Sequence, residues 1–163
     1  RAFGAASSKE RFGGLANGDH IWTVVVAVLE WCLIACQASS HMPTIRTKRV
    51  YEPPEAQDGL RVLVDRVWPR GLTKAQVGAE LWLREVAPSA ALRRWFAHDL
   101  SKWDEFKRCY FAELDQNPEN VGLLLQKAAE RTVTLLYSAH DPEHNQAVAL
   151  KEYLVSRSKQ APR

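Results

Sequence analysis

The apolar residues of this chain follow two periods in turn, short strand-like runs and longer helical stripes. "TIRTKRVY" (Thr44–Tyr51) is a short β-prone stretch closed by Pro53 and Pro54, and "AQDG" (Ala56–Gly59) is turn material before the next run. "LRVLVDRVW" (Leu60–Trp68) predicts a strand whose continuous apolar centre, Val62 to Val64, suits burial on both faces; Pro69 and Gly71 stop it. Thr73 followed by Gln76 has capping-box spacing and predicts a helix through about Ala87, ended by Pro88. Ser89 can cap a shorter helix on which Leu92, Trp95 and Phe96 form one apolar face. Ser101 and Asp104 repeat the cap spacing before a helix carrying Trp103, Phe106, Tyr110 and Leu114 on one side, with Cys109 beside them. Asn117 then Pro118 opens a helix that runs to about Glu130. The strand "TVTLLYSA" (Thr132–Ala139) follows, then "HDPEHNQ", then a last helix from Pro142 through about Val155 with Ala147, Leu150 and Leu154 inward.

Strands separated by helices predict a small single α/β domain with a mostly parallel central sheet flanked by helices. In such sheets ligands bind beyond the carboxyl ends of the strands. Two unusual pieces of the sequence, "DRVWPRG" and "SAHDPEHNQ", are both strand exits. If their strands are parallel neighbours, the two loops face one crevice.

Composition adds bounds. The 163 residues, nearly half apolar and a quarter charged, suit one domain with a real core, and 22 Lys and Arg against 19 Asp and Glu leave a formal charge of +3, too even to declare a nucleic-acid binder. Three cysteines, Cys32, Cys36 and Cys109, give neither a disulfide framework nor a zinc pattern, and a reducing cytoplasm is the expected compartment. Residues 1–41 differ from the rest. Their apolar run, Ile21–Cys36, falls short of the roughly 20 residues of a spanning helix and carries Glu30, so no membrane is expected. "LIAC" resembles a lipoprotein cleavage box, but Glu30 and the long, weakly basic leader argue against export. "SSHM" resembles a cloning scar; 1–41 read as a non-native or upstream extension, tag-like and apolar at 21–36, before a domain over 42–163.

Candidate chemistry concentrates at the strand exits. Arg66 and Arg70 can offer planar forks to a phosphate or carboxylate, Asp65 can orient one of them, and Trp68 can supply a flat wall; the plainer alternative is an Asp65–arginine pair with Trp68 in the core. In the second loop, Tyr137, Ser138, His140 and Asn145 are placed to grip or orient a ligand. His140 and His144 have a metal-like spacing, but Pro142 between them disfavours a shared helical face, so no metal is expected. Asp141 before Pro142 reads as an N-cap. His98 with Asp99 could act as an acid or base, but reads first as a helix C-terminal His followed by a capping Asp. Cys109, on an amphipathic helix among aromatics, reads as a small hydrophobe. Phosphate loops, dinucleotide fingerprints, nucleophile elbows and zinc-protease motifs are absent from the sequence, and no cofactor is expected.

Four pieces, "KRVYEPPEAQDGLRVLVDRVWPRGL", "LREVAPSAALRRWFAHD", "WDEFKRCYFAEL" and "VTLLYSAHDPEHNQAVALKEYL", give the chain from about Met42 to Leu154 a close resemblance to the YeaO-like family, a branch of bacterial domain-of-unknown-function group 488. The resemblance implies a small cytoplasmic α/β protein and no established reaction. It also implies an Asn-His pair where this chain has Asn145 and Gln146, and, in the wider group, a Cys near Tyr137 and a Cys-His-Arg loop near Asn145, which this chain lacks.

Two functions follow as expectations. One is a binder or enzyme whose small anionic ligand, phosphate-bearing or carboxylate, sits between Arg66, Arg70 and the Tyr137–Asn145 loop. The other is a non-catalytic interaction module in which Arg93, Arg94, Lys102, Lys107 and Arg108 form a basic helical face for nucleic acid or an acidic protein. Oligomeric state and substrate identity are not legible in the sequence.

Overall fold

The computed structural model describes residues 44–160, and these belong to one unit, residues 41–163. The expected tag-like extension over 1–41 therefore lies outside the described residues. Strand β1 (Ile45–Arg49), β2 (Leu60–Leu63), β3 (Leu81–Trp82) and β4 (Val133–Tyr137) form a four-stranded sheet in the order β1-β4-β2-β3, and every pairing is parallel. The α-helices are α1 (Lys74–Val77), α2 (Ala90–Phe96), α3 (Trp103–Asp115), α4 (Pro118–Glu130) and α5 (Gln146–Gln160). The domain is an α/β protein with a parallel central sheet, as the alternation of periods predicts. Among the described residues no helix is long and apolar enough to cross a membrane.

The two faces of the sheet are covered differently. Ile45, Leu60, Val62, Val133, Leu135 and Tyr137 point to a large apolar cluster shared with α2 through α5. Phe106, Tyr110 and Leu114 are buried there, as the stripe on α3 predicts, whereas Trp95 of the α2 stripe is exposed. The opposite face carries a smaller cluster, Val50, Leu63, Val77 and Leu136, and beside it a buried polar network. Asp58 anchors that network: it accepts from Lys48 Nζ at 3.1 and 3.2 Å, pairs with Arg61 Nη1, and its own carbonyl accepts from Thr134 Oγ1 at 2.6 Å. Arg61 Nη2 donates to Val77 O at 2.9 Å. Burial alone would push the Asp58 carboxyl up, but the bonds from Glu55 N, Lys48 and Arg61 outweigh it and hold the carboxyl below its ordinary value. Gly59, at φ 64°, makes the turn into β2; a Cβ there would lie 2.2 Å from Thr132 O, so only glycine fits.

Three predicted boundaries shift. The helix expected from Thr73 to Ala87 is a single turn, although Thr73 and Gln76 do form the capping box. Gly78 takes the left-handed conformation that ends it, and the freed chain pairs with β2 through Glu80 N to Arg61 O and Leu83 N to Leu63 O, both 2.9 Å. The predicted strand through Trp68 stops at Leu63, because the chain bends beyond Asp65. α5 begins at Gln146 rather than Pro142: Asp141 caps only a local turn, through Glu143 N and His144 N, while Asn145 Oδ1 accepts from Ala147 N and Val148 N at 3.0 and 3.1 Å. Ser89 and Pro118 open their helices as expected; α3 is entered through a 3₁₀ turn capped by Asp99 instead of Ser101.

Candidate functional site

β2 and β4 are parallel neighbours, so their exits lie side by side. The ladder continues one residue past β2 through Val64 N to Leu136 O, and the next residue, Asp65, stands at the rim. The residue is 6% exposed. One carboxylate oxygen accepts from Ser138 N at 2.9 Å, and the other accepts from the amide of Gln146, the first residue of α5. The Asp65 carbonyl accepts from Trp82 Nε1 at 2.8 Å, which ties β3 to the same point. Burial pushes the Asp65 carboxyl above its ordinary value, opposed by the Ser138 and Gln146 hydrogen bonds and by the positive charge of Arg93. Asp65 is therefore a sunken carboxylate fixed by neutral donors, with the positive charge of Arg93 reaching it from α2.

A cavity of about 200 Å³ opens over Asp65, lined by Val67, Arg93, His98, Ser138, Ala139 and Gln146. A smaller hollow of about 50 Å³ shares Arg93, His98 and Gln146 with it and is walled by Phe96, Phe106, His144 and Asn145. His98 reaches the cavity because Ala97 and His98 both adopt left-handed backbone, φ 44° and 60°, immediately after α2. Such conformations cost a non-glycine residue about 1–3 kcal/mol and concentrate at working sites. His144 Nδ1 donates to Asp141 Oδ2 at 3.1 Å, and the ring meets Trp103 edge-on at 5.3 Å.

The structure sorts the sequence candidates. Asp65 and Ser138 line the cavity directly. Asn145 lines the smaller hollow but is 2% exposed, and its amide is spent on Ala147 N, Val148 N and Asp141 O, so it shapes the site as a helix cap. Arg66 and Arg70 are exposed and outside the cavity lining, since strand alternation ends before them. Trp68 packs edge-on against Trp82 at 5.2 Å and donates to Leu72 O, an internal brace, not an open wall. Tyr137 belongs to the apolar cluster and is 4% exposed. His140 is exposed on the loop beyond Ala139. Among the described residues no group of three or more His, Cys, Asp or Glu side chains could hold a metal ion.

From the sequence, Arg93 belongs to a basic helical face for nucleic acid or an acidic protein, His98 to a helix end, and Gln146 has no assigned contact. Arg93 and Gln146 enter from α2 and α5, whose rotation about their axes is set by packing, not by local pattern. A signal existed for His98: it follows the apolar face of α2 directly, where the chain must turn.

Comparison with known proteins places these residues in a family. The family described as "Inactive DUF488-N3 subclade" matches residues 44–162. The chain is 40% identical over 112 residues to "Uncharacterized protein YeaO" of Escherichia coli (strain K12), covering 69% of this chain and 97% of that protein. It is 34% identical over 113 residues to uncharacterized proteins of Mycobacterium bovis and Mycobacterium tuberculosis, covering 69% of this chain and 95% of each of them. No solved structure matches.

Proposed function

Because the chain belongs to the inactive DUF488-N3 subclade, we propose that it binds a small ligand without transforming it, in the cavity over Asp65. The ligand carries an anionic group, phosphate or carboxylate, facing Arg93, and hydroxyl or amine donors facing Asp65. The observation that carries this reading is the meeting of one cation and one sunken carboxylate across a cavity of about 200 Å³. That volume lies below the roughly 300–1,000 Å³ usual for drug-sized ligands, which suits a sugar phosphate or a small hydroxy acid. Binding is favoured over turnover because Gln146 offers Asp65 an amide, which orients the carboxylate but cannot exchange a proton with it. The cavity lining also includes no thiol; Cys109 lies on α3, beside Glu105.

Thermal unfolding with three probes tests this reading: inorganic phosphate, a pentose phosphate, and the same pentose without phosphate. The pentose phosphate is expected to raise the Tm most, and at a hundredfold excess over its Kd it contributes about 2.7 kcal/mol. Arg93→Gln is expected to abolish the phosphate-dependent part of the shift. No shift with any millimolar anion, or the same shift in the variant, overturns the proposal. The basic-face alternative is less well supported, because three of its five cations already face acids: Lys102 pairs with Asp99, Lys107 with Asp104 and Glu152, and Arg108 with Glu105.

A further inference from the structure

Ion pairing is unevenly distributed over the surface. Besides Lys102, Lys107 and Arg108, the cations Lys127, Arg131 and Arg157 each have a carboxylate partner. Arg46, Arg49, Lys151 and Lys159 make no ion pair among the described residues, but the segment 66–94 concentrates such cations: it holds six basic residues, Arg66, Arg70, Lys74, Arg84, Arg93 and Arg94, against only Glu80 and Glu85. None of the six makes an ion pair among the described residues, and Glu80 is turned to Arg131 instead. This one segment therefore carries more uncompensated positive charge than the +3 of the whole chain.

The five arginines are tied, directly or through chain neighbours, to the exit of β2, and Lys74 follows on the next helical turn. Arg66 adjoins Val67, which lines the cavity with Arg93, next in the chain to Arg94. Trp82 is fastened to the Asp65 carbonyl, and the Arg84 guanidinium lies over the Trp82 ring at 5.1 Å. The turn bearing Arg70 is closed onto Trp68 by its bond to Leu72 O, and Trp68 meets Trp82. Apolar surface is interleaved with the charge: Val67 is 65% exposed and Trp82 37%.

We propose that this rim, Arg66 to Arg94, is a docking surface for single-stranded nucleic acid. Five of its six cations are arginines, whose planar forks match phosphate oxygens and whose flat faces stack on bases. Exposed Val67 and the part-exposed Trp82 ring, which carries the Arg84 guanidinium, put apolar and cation-stacked aromatic surface beside the charge, and positive charge interleaved with such surface is the physical form of single-strand binding. A duplex fits poorly: the arginines of α2 stand on a helix of only seven residues, Arg84 begins a three-residue 3₁₀ turn, and Arg66 and Arg70 sit on a bend and a turn, so the rim presents no extended helix to a major groove.

The inference does not depend on the cavity ligand, and its test leaves Arg93 untouched. Fluorescence anisotropy with a labelled 20-nucleotide single strand measures affinity across salt. Each phosphate contacted on a single strand contributes about 0.7 to the slope of log K against log salt, so four contacts give a slope near −3 and roughly fifty-fold weaker binding between about 50 and about 200 mM salt. Replacing Arg66, Arg70, Arg84 and Arg94 together with Gln is expected to remove at least tenfold in affinity and flatten the slope. The matched variant with Lys107, Arg108, Lys127 and Arg131 changed to Gln loses the same formal charge and is expected to bind as the parent does. All four rim side chains are exposed; should the quadruple variant unfold early, the double reversal Arg66→Glu with Arg94→Glu serves in its place, with the same tenfold loss expected. Absence of binding at about 50 mM salt, equal losses in the rim and matched variants, equal affinity for the duplex, or equally effective competition by polyglutamate each overturns the proposal, the last in favour of an acidic protein partner.

Discussion

Two buried carboxylates bracket β2, and they have opposite fates. Asp58, before the strand, is 4% exposed and surrounded by Lys48 and Arg61; its charge is welcome and its carboxyl titrates low. Asp65, after the strand, is 6% exposed and held by a backbone amide and a glutamine, with a carboxyl that titrates high. Both are nearly closed to solvent, but Asp65 lies deeper in the protein, so depth and partners together decide: burial prevails at Asp65, whereas charged and backbone donors outweigh it at Asp58. At the amino end of the strand the charges are matched to hold a fold together. At the carboxyl end an ionised group is kept short of direct cationic partners, an arrangement that stabilises nothing by itself and leaves hydrogen-bonding capacity for a guest.

The sharpest way to break the contrast is to neutralise each carboxylate. Asp58→Asn strands Arg61 as a buried charge without its partner, and urea unfolding is expected to show a loss of about 3–5 kcal/mol. Asp65→Asn, by contrast, is expected to stay within about 1 kcal/mol of the parent at neutral pH, because an amide can satisfy both Ser138 and Gln146 once the glutamine turns over. A comparable loss in both variants would erase the distinction.

Titration sharpens it further. The Asp58 carboxyl is lowered in the fold, so its contribution is fully present above the ordinary 3.8 and disappears as pH falls through the folded value. The Asp65 carboxyl is raised, so it costs stability at neutral pH, and that cost fades as pH falls through the folded value towards 3.8. Comparing parent with Asp65→Asn from pH 7 down to pH 4, the stability difference is expected to move in the parent's favour; a constant difference would remove the raised carboxyl from the account. The smallest effect concerns the strained turn beside the cavity. Ala97→Gly relieves a left-handed alanine and is expected to gain about 1 kcal/mol or less in thermal unfolding, while loosening the placement of His98 and weakening anion binding.

How legible this was in the sequence depends on whether a feature is local. Ser89, Pro118 and the apolar runs of β2 and β4 announced their elements because caps and strand cores act over a few residues. The β3 strand gave no such notice: Leu81 and Trp82 sit in a stretch with helical spacing, and only pairing with β2, allowed by the break at Gly78, makes them extended. The convergence of two strand exits followed from parallel topology alone. The identity of the cation there did not, since Arg66 and Arg70 lie beyond the reach of strand alternation while Arg93 is turned to the cavity by the packing of Leu92 and Phe96 beneath it. Gln146 was hidden for a related reason: Pro142 advertises a helix start that Asn145 in fact provides.

The shortness of β3 bears on how copies of the chain could pair edge to edge. A margin of two residues exposes too few amides and carbonyls to seed an incoming chain, and the indole N–H of Trp82 is already committed to the Asp65 carbonyl. Fibrillar stacking along that border is therefore blocked by geometry, which frees the neighbouring arginines from acting as gatekeepers.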